Sequence, residues 1–206
     1  MPQAHNRASD WFDGLYQNNK TTQENIPWAK QVVNPLLQMY IEENKMHKGK
    51  ALVIGCGLGD DAKALDEAGY DVLAIDVSQT ALDLAKARFE GTNIVFEKQD
   101  IFDMPTKYQK HFDFVFEAFT IQSLPVEFRE KMIKAIAHTL ADKGELLVVA
   151  HQKNRDFKGP PWPLEQKEID LFKAEGLTEL SFEVLTIPAQ VSPQQFRVLY
   201  RKCFHI

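Results

Sequence analysis

From residue 51 onward, short runs of apolar residues alternate with longer segments in which apolar residues recur at helical spacing. This alternation predicts a parallel β-sheet whose strands are joined by crossover helices. The first five runs are nearly continuous apolar, as expected for strands covered on both faces, and a short proline-bearing loop joins the last two into an antiparallel pair. The predicted strands are Ala51–Ile54, Tyr70–Ile75, Ile94–Glu97, Phe112–Phe116, Glu145–Ala150, Leu177–Ile187 and Gln195–Lys202.

The segments between these runs carry the usual boundary residues of helices. Ser78 is a suitable N-cap, and Pro125 suits the first turn of a later helix that ends just before Gly144. Further helices are predicted over Asp60–Ala68 and Leu164–Glu175, each followed by a glycine. The mixed charges of Glu127–Lys134 indicate a solvated helix face. With right-handed crossovers, the elements predict an α/β fold: a three-layer sandwich around a seven-stranded, mostly parallel sheet whose last strand is antiparallel.

The first 49 residues differ in kind from the rest of the chain. Trp11 and its aromatic neighbours precede a polar stretch, and Ile26-Pro27-Trp28 then opens an amphipathic helix. We expect residues 1–49 to form an N-terminal helical cap on a single globular unit, residues 50–206.

Composition narrows the class of protein. The chain has 206 residues, 24 basic and 29 acidic, for a net charge of −5, without the basic stripe typical of nucleic-acid binding. The sequence contains no signal peptide and no apolar run long enough for a membrane helix. Its two cysteines lack the spacing of a disulfide framework or a zinc site, and we expect no metal. These features predict a cytoplasmic protein whose partner is a small molecule.

A glycine loop, Gly55-Cys56-Gly57-Leu58-Gly59, lies between the first predicted strand and the first crossover helix. Glycines at this junction allow a ligand to approach the backbone closely. A dinucleotide-binding loop needs a further glycine at the position of Asp60, which is followed by Asp61. Two carboxylates at this helix N-terminus repel a pyrophosphate. The loop therefore favours a ligand without phosphate.

Asp76 ends the second predicted strand, 21 positions after the first glycine. This spacing is close to that of the acid that binds the ribose of adenosine cofactors. Ribose binding without a phosphate site indicates S-adenosylmethionine. Two structural alternatives remain: the glycine loop could be a tight turn that binds no ligand, and Asp76 could serve only to cap the helix at Ser78.

From about residue 50 onward, the sequence resembles the class I S-adenosylmethionine-dependent methyltransferases. Within that superfamily, Leu52–Asp61 is similar to the branch of thiopurine, thiol-halide and tellurite-resistance methyltransferases. The segments Trp11–Tyr16, Ile26–Trp28 and Leu124–Arg129 are similar to the same branch. Val53 stands where most class I members have an acid, a departure that the thiol-type branch tolerates. The resemblance implies a Rossmann-like methyltransferase fold.

The resemblance also implies roles for individual residues. Trp11 would cover the cofactor, Asp76 would hold the ribose, and Glu117 would face the methionine moiety or the acceptor. The remaining implied cofactor-binding residues are Gly55, Gly57 and Gly59 at the amino acid end, Val77 on the adenine, Asp100 at the adenine amino group, and Ile101 beside it.

The reaction implied is methyl transfer to a small-molecule acceptor. His151, after the fifth strand, is a tentative general base, although a solvated loop histidine is the more ordinary interpretation. Trp162 either lines an acceptor pocket or fastens its loop to the core. Without a convincing base, a thiol or another soft nucleophile is favoured. An NAD(P)-dependent oxidoreductase and a non-catalytic S-adenosylmethionine-binding module remain the alternatives.

Overall fold

The computed structural model describes residues 13–14, 17, 31–44, 49–154, 160–187 and 193–203. Contacts within the chain divide it into two units, residues 1–100 and residues 101–206. Trp11, Trp28 and the predicted start of the cap helix lie outside the described residues. The division into a cap, residues 1–49, and a domain, residues 50–206, stays a prediction.

The first unit contains three parallel strands and the helices that connect them. The described elements are α1 (Pro35–Glu43), β1 (Lys50–Ile54), α2 (Asp60–Glu67), β2 (Asp71–Asp76), α3 (Gln79–Arg88) and β3 (Val95–Lys98). β2 pairs in parallel with both β1 and β3. Apolar side chains of β1 and β2, such as Leu52 and Ile75, are buried because both faces of these strands are covered. The Ser78 side chain accepts the Ala81 N–H, which confirms the predicted N-cap of α3.

The second unit contains the remaining strands. Its elements are β4 (Phe112–Ala118), α4 (Arg129–Thr139), β5 (Leu140–His151), α5 (Gln166–Ile169), α6 (Leu171–Ala174), β6 (Leu177–Thr186) and β7 (Gln194–Lys202). β4 and β5 are parallel, whereas β7 is antiparallel to both β5 and β6. The core of this unit is built on the largest fully buried side chains of these strands, which are Phe114, Phe116, Phe196 and Tyr200.

The strands that the structure describes form one seven-stranded sheet, ordered β3-β2-β1 in the first unit and β4-β5-β7-β6 in the second. The α/β fold, with a mostly parallel sheet and an antiparallel last strand, is confirmed.

Element boundaries differ from the prediction mainly around Gly144. The helix predicted from Pro125 is a 3₁₀ turn over Val126–Phe128 followed by α4, and β5 begins at Leu140. Gly144 therefore lies inside β5 and does not terminate a helix. A Cβ at Gly144 would lie 2.7 Å from the carbonyl oxygen of Phe112. The glycine is required because two backbones approach closely.

The helix predicted over Leu164–Glu175 is shorter and divided. The Glu165 side chain accepts a backbone N–H of the first turn of α5, and the Glu168 side chain accepts the Glu165 N–H, so a capping box starts the helix. Asp170 separates α5 from α6.

Candidate functional site

The glycine loop, residues 55–59, needs glycine for its backbone conformation. Gly55, Gly57 and Gly59 have φ angles of 62°, 50° and 86°, in the left-handed region that other residues avoid. A Cβ at Gly59 would also lie 3.0 Å from the Phe96 ring. The Cys56 N–H donates to the Ile75 carbonyl at 3.0 Å, which fixes the loop to the end of β2.

Asp76 is bound to this loop. One carboxylate oxygen accepts the Gly57 N–H at 2.9 Å, and the other accepts the Ser78 N–H at 2.9 Å. Burial raises the pKa of Asp76, against the lowering effect of these N–H groups. Each carboxylate oxygen can accept more than one hydrogen bond, so Asp76 keeps acceptor capacity for a ligand.

Asp60 and Asp61 have protein partners that the sequence did not indicate. Arg88 donates to both carboxylate oxygens of Asp60, at 2.7 and 2.9 Å, and to the Leu58 carbonyl at 2.6 Å. Asp61 accepts the Asn34 N–H at 2.7 Å, and burial raises its pKa to about 6. Both residues lie in the first turn of α2, and their contacts tie the start of this helix to Asn34 before α1 and to Arg88 of α3. The Leu58 carbonyl ties the glycine loop to the same arginine.

The other predicted cofactor residues of the first unit follow β2 and β3. Val77 and Asp100 are half-buried. The Gln99 N–H donates to the Asp76 carbonyl at 3.1 Å, so the residue before Asp100 is bound to Asp76. In the second unit, Ile101 is buried and begins a one-turn 3₁₀ helix.

Glu117 lies in β4 and is fully buried. Its Oε1 accepts the N–H groups of Thr120 and Ile121 at 2.7 and 3.0 Å. Its Oε2 has no hydrogen-bond partner in the part of the chain that the structure describes. Burial raises the pKa of Glu117 to about 7, against the lowering effect of the two N–H groups. A buried carboxyl with one unsatisfied oxygen is a candidate ligand contact.

His151, the last residue of β5, is only 8% exposed. The ring stacks on Phe119, with centroids 4.7 Å apart and planes 26° apart. Phe119 has a φ of 63°, an unusual angle for a bulky side chain, at the end of β4. The interpretation of His151 as a solvated loop histidine is wrong, because the strand extends to this residue and the Phe119 ring covers it.

Gln122 connects the ends of β4 and β5 to the loop that contains Trp162. Its Oε1 accepts the His151 N–H at 2.8 Å, and its carbonyl accepts the Trp162 N–H at 2.7 Å. Its buried Nε2 has no partner among the described residues. Because the His151 N–H can only donate, the orientation of the carboxamide is fixed and the unsatisfied atom is the donor. We call residues 117–122 the β4 turn.

Arg129 fastens the same loop from α4. The guanidinium donates to the Trp162 carbonyl at 2.6 Å and forms an ion pair with Glu168. The Arg129 side chain is only 5% exposed, so the solvated-face interpretation of Glu127–Lys134 is wrong at this position. The signal was present: Arg129 lies seven residues before Ile136, on the face of α4 that is buried.

The described residues contain no cluster of three or more metal-ligating side chains. No helix among these residues is long and apolar enough to cross a membrane.

Comparison with known proteins decides the family. The family model described as thiopurine S-methyltransferase matches residues 15–191. The chain belongs to this family. It is therefore an S-adenosylmethionine-dependent methyltransferase that acts on a small molecule, and the predicted fold, enzyme class and cofactor are confirmed.

Individual relatives of this thiopurine S-methyltransferase family member have different acceptors. The chain is 30% identical over 168 residues to 2-heptyl-1-hydroxyquinolin-4(1H)-one methyltransferase of Mycobacteroides abscessus, covering 78% of this chain and 73% of the relative. It is 25% identical over 170 residues to thiocyanate methyltransferase 1 of Arabidopsis thaliana, covering 80% and 72%.

A solved structure shares the fold. An N-methyltransferase from Bradyrhizobium japonicum, crystallised with S-adenosyl-L-homocysteine, superposes with a TM-score of 0.73 at 18% identity. The match covers 91% of this chain and 97% of that one.

Proposed function

We propose that this methyltransferase transfers the methyl group of S-adenosylmethionine to a thiol, or another soft nucleophile, of a small molecule. When bound, the cofactor supplies an electrophilic methyl group on a sulfonium. The protein needs to bind and orient the two reactants and to exclude water.

The residues of the first unit fit the adenosine part of the cofactor. The unused acceptor capacity of Asp76 suits the ribose hydroxyls, and the positive-φ glycines Gly55, Gly57 and Gly59 leave the loop open to close approach. Val77 and Asp100, both half-buried, would contact the adenine. In the second unit, Ile101 would contact it as well. Trp11, outside the described residues, is proposed to cover the cofactor on the resemblance alone.

Glu117 is the proposed contact of the second unit. Its unsatisfied Oε2 can accept a hydrogen bond from the ammonium group of the cofactor or from the acceptor. Gln122, with an unsatisfied Nε2, can donate to the acceptor. Both groups follow the rule that open parallel sheets bind ligands beyond the carboxyl ends of their strands.

The observation that carries the choice of a soft acceptor is the relative from Arabidopsis thaliana, which is named a thiocyanate methyltransferase. The buried Glu117 carboxyl is compatible with this choice. With a pKa of about 7, Glu117 is a weak base, able to accept a proton from a thiol, whose ordinary pKa is about 8.5. It is far too weak for an alcohol, and thiols already ionise in part near neutral pH. His151, stacked on Phe119, is proposed only as a second, tentative base.

A second class of acceptor has support of its own. The stacked rings of Phe119 and His151 offer a flat aromatic surface, and the relative from Mycobacteroides abscessus is named for a hydroxyquinolinone. A planar, acidic hydroxylated heteroaromatic is therefore the alternative acceptor.

An acceptor panel tests the proposal. The purified protein and S-adenosylmethionine are incubated with thiophenol, hydrosulfide, thiocyanate, a 1-hydroxyquinolinone and a simple alcohol, and methylated products are identified by mass spectrometry. We expect S-methyl products, and none from Asp76→Ala, which serves as the site control. O-methylation of the hydroxyquinolinone without any S-methyl product would replace the thiol by the alternative acceptor. Cofactor binding without any product would favour the binding module.

We also propose a cytoplasmic location and no nucleic-acid partner. The net charge of −5 supports the second point. The two cysteines, Cys56 and Cys203, are both free thiols, which supports a reducing compartment.

A further inference from the structure

Asp13 contacts Ser78, 65 positions later in the sequence. The proposed function gives this contact no role. Its Oδ1 accepts the Ser78 hydroxyl at 2.6 Å and the Thr80 N–H at 3.2 Å. Its Oδ2 accepts the Gln17 side-chain amide at 2.7 Å. Burial opposes ionisation, but the hydrogen bonds from Ser78 and Thr80 outweigh it and hold the pKa of Asp13 below its ordinary value. Asp13 is therefore a charged acceptor at the N-terminus of α3.

The Ser78 hydroxyl depends on Asp13 as its hydrogen-bond acceptor. Ser78 is fully buried, and its oxygen already accepts the Ala81 N–H as the N-cap of α3. The hydroxyl hydrogen is donated to Asp13, and a buried donor left without an acceptor is costly. The contact is thus worth more than an exposed hydrogen bond at the end of a helix.

Ser78 also contacts the proposed ribose-binding acid. The Ser78 N–H donates to Asp76, and Asp76 in turn accepts the Gly57 N–H of the glycine loop. One residue therefore joins Asp13 to Asp76, and the charge of Asp13 contributes to the raised pKa of Asp76. Asp13, Ser78, Asp76 and Gly57 form a continuous chain of hydrogen bonds within the first unit.

We infer that Asp13 is a positioning residue for cofactor binding, which acts on Asp76 at the end of β2 through Ser78. The inference rests on the proposed role of Asp76. Asp13 holds Ser78 in the place where its N–H orients the Asp76 carboxylate. Because these hydrogen bonds orient Asp76 before the ligand arrives, they remove part of the ordering cost of binding.

Substitution of Asp13 tests this role, because it should weaken cofactor binding and leave turnover at saturating cofactor almost unchanged. In Asp13→Ala, the Kd of S-adenosyl-L-homocysteine by calorimetry should rise about tenfold, mainly through faster dissociation in stopped-flow measurements. The kcat at saturating cofactor and the KM of the acceptor should stay within about twofold of wild type. Asp13→Asn keeps an oxygen that can accept the Ser78 hydroxyl, so its Kd should rise by less than about threefold.

A matched control comes from α3, the helix whose N-terminus Asp13 contacts. Asp83 is exposed and accepts only a neighbouring side-chain amide, that of Gln79 at 2.8 Å, among the bonds that the structure gives it. Asp83→Ala removes the same charge and one hydrogen bond and should leave the Kd unchanged. If Asp13→Ala proves unfolded by circular dichroism, Ser78→Gly, which keeps a tolerated N-cap residue without the hydroxyl, carries the same expectation.

The outcomes separate the two levels of the argument. An unchanged Kd in Asp13→Ala, or an equal rise in Asp13→Asn and Asp13→Ala, would overturn the hydrogen-bonded positioning role. Folded wild-type protein that binds no S-adenosyl-L-homocysteine would instead overturn the cofactor site on which the inference rests.

Discussion

In the first unit, the carboxylates around the glycine loop are bound by the protein itself, whereas the β4 turn of the second unit leaves two polar atoms unsatisfied. Asp76 and Asp60 each use both oxygens. Glu117 Oε2 and Gln122 Nε2, in contrast, have no partner among the described residues. In the proposed site, the first unit presents a preorganised surface to the adenosine part of the cofactor. The unsatisfied atoms of the second unit are the ones proposed to contact the ammonium group of the cofactor or the acceptor.

The largest expected effect concerns the support of the β4 turn. Arg129→Met removes a buried guanidinium from its ion pair with the half-buried Glu168 and from the Trp162 carbonyl. The free energy of unfolding should fall by about 3–4 kcal/mol. The control is Lys167→Met, whose ion pair with Glu165 is exposed on both sides, 78% and 39%, so the unfolding free energy should change far less. Urea denaturation measures both. Equal, small losses would show that the second unit does not depend on this network.

The next prediction concerns how the unfolding free energy depends on pH, through Glu117 of the second unit and Asp61 of the first. Burial raises the pKa of Glu117 from 4.5 to about 7, so the folded protein holds a proton that the unfolded chain releases within this interval. The unfolding free energy should therefore fall as pH rises, by about 3 kcal/mol in total. Burial shifts the pKa of Asp61 from 3.8 to about 6, in the same direction at lower pH.

Stability measured from pH 4 to pH 8 separates the two carboxyls. Glu117→Gln should remove all of the fall above about pH 6 and a share of the fall below it. Asp61→Asn should remove only a share of the fall below about pH 6 and leave the fall above it unchanged. A wild-type curve that is flat from pH 5 to pH 8 would mean that neither burial persists in solution.

The smallest effect tests how closely the glycine loop is packed. Gly59 and Gly69 have similar φ angles of 86° and 96°, so substitution by alanine strains both backbones alike. Only at Gly59 does an added Cβ meet other atoms, those of Phe96 and Ala85 at 3.0 to 3.2 Å. Gly59→Ala should therefore be less stable than Gly69→Ala by about 1–2 kcal/mol in thermal unfolding. Equal stabilities would mean that the loop is looser than its geometry indicates.

The two regions also differ in how far the sequence predicts them. The glycine loop and Asp76 follow from local rules: apolar strand runs, glycines that permit positive φ, and an acid where a strand ends. Their neighbours Arg88 and Asn34 do not, because nothing local states which donor will meet Asp60 or Asp61.

In the second unit, long-range contacts decide more. His151 was expected in a solvated loop, but β5 extends to this residue and Phe119 covers it. Arg129 was expected on a solvated face because it is charged, although its helical position is on the buried side. The contact between Asp13 and Ser78 joins residues 65 positions apart, and no periodicity indicates such a pair.

Thermal unfolding with and without ligand tests the central claim, that the glycine loop and Asp76 bind S-adenosylmethionine. At a hundredfold excess over Kd, S-adenosyl-L-homocysteine should stabilise the protein by about 2.7 kcal/mol and raise its Tm by about 5–10 °C. Asp76→Ala should lose this rise. NADH should give none, because the first turn of α2 carries Asp60 and Asp61 at the end of the helix that a pyrophosphate would need. A rise with NADH and none with S-adenosyl-L-homocysteine would contradict the account.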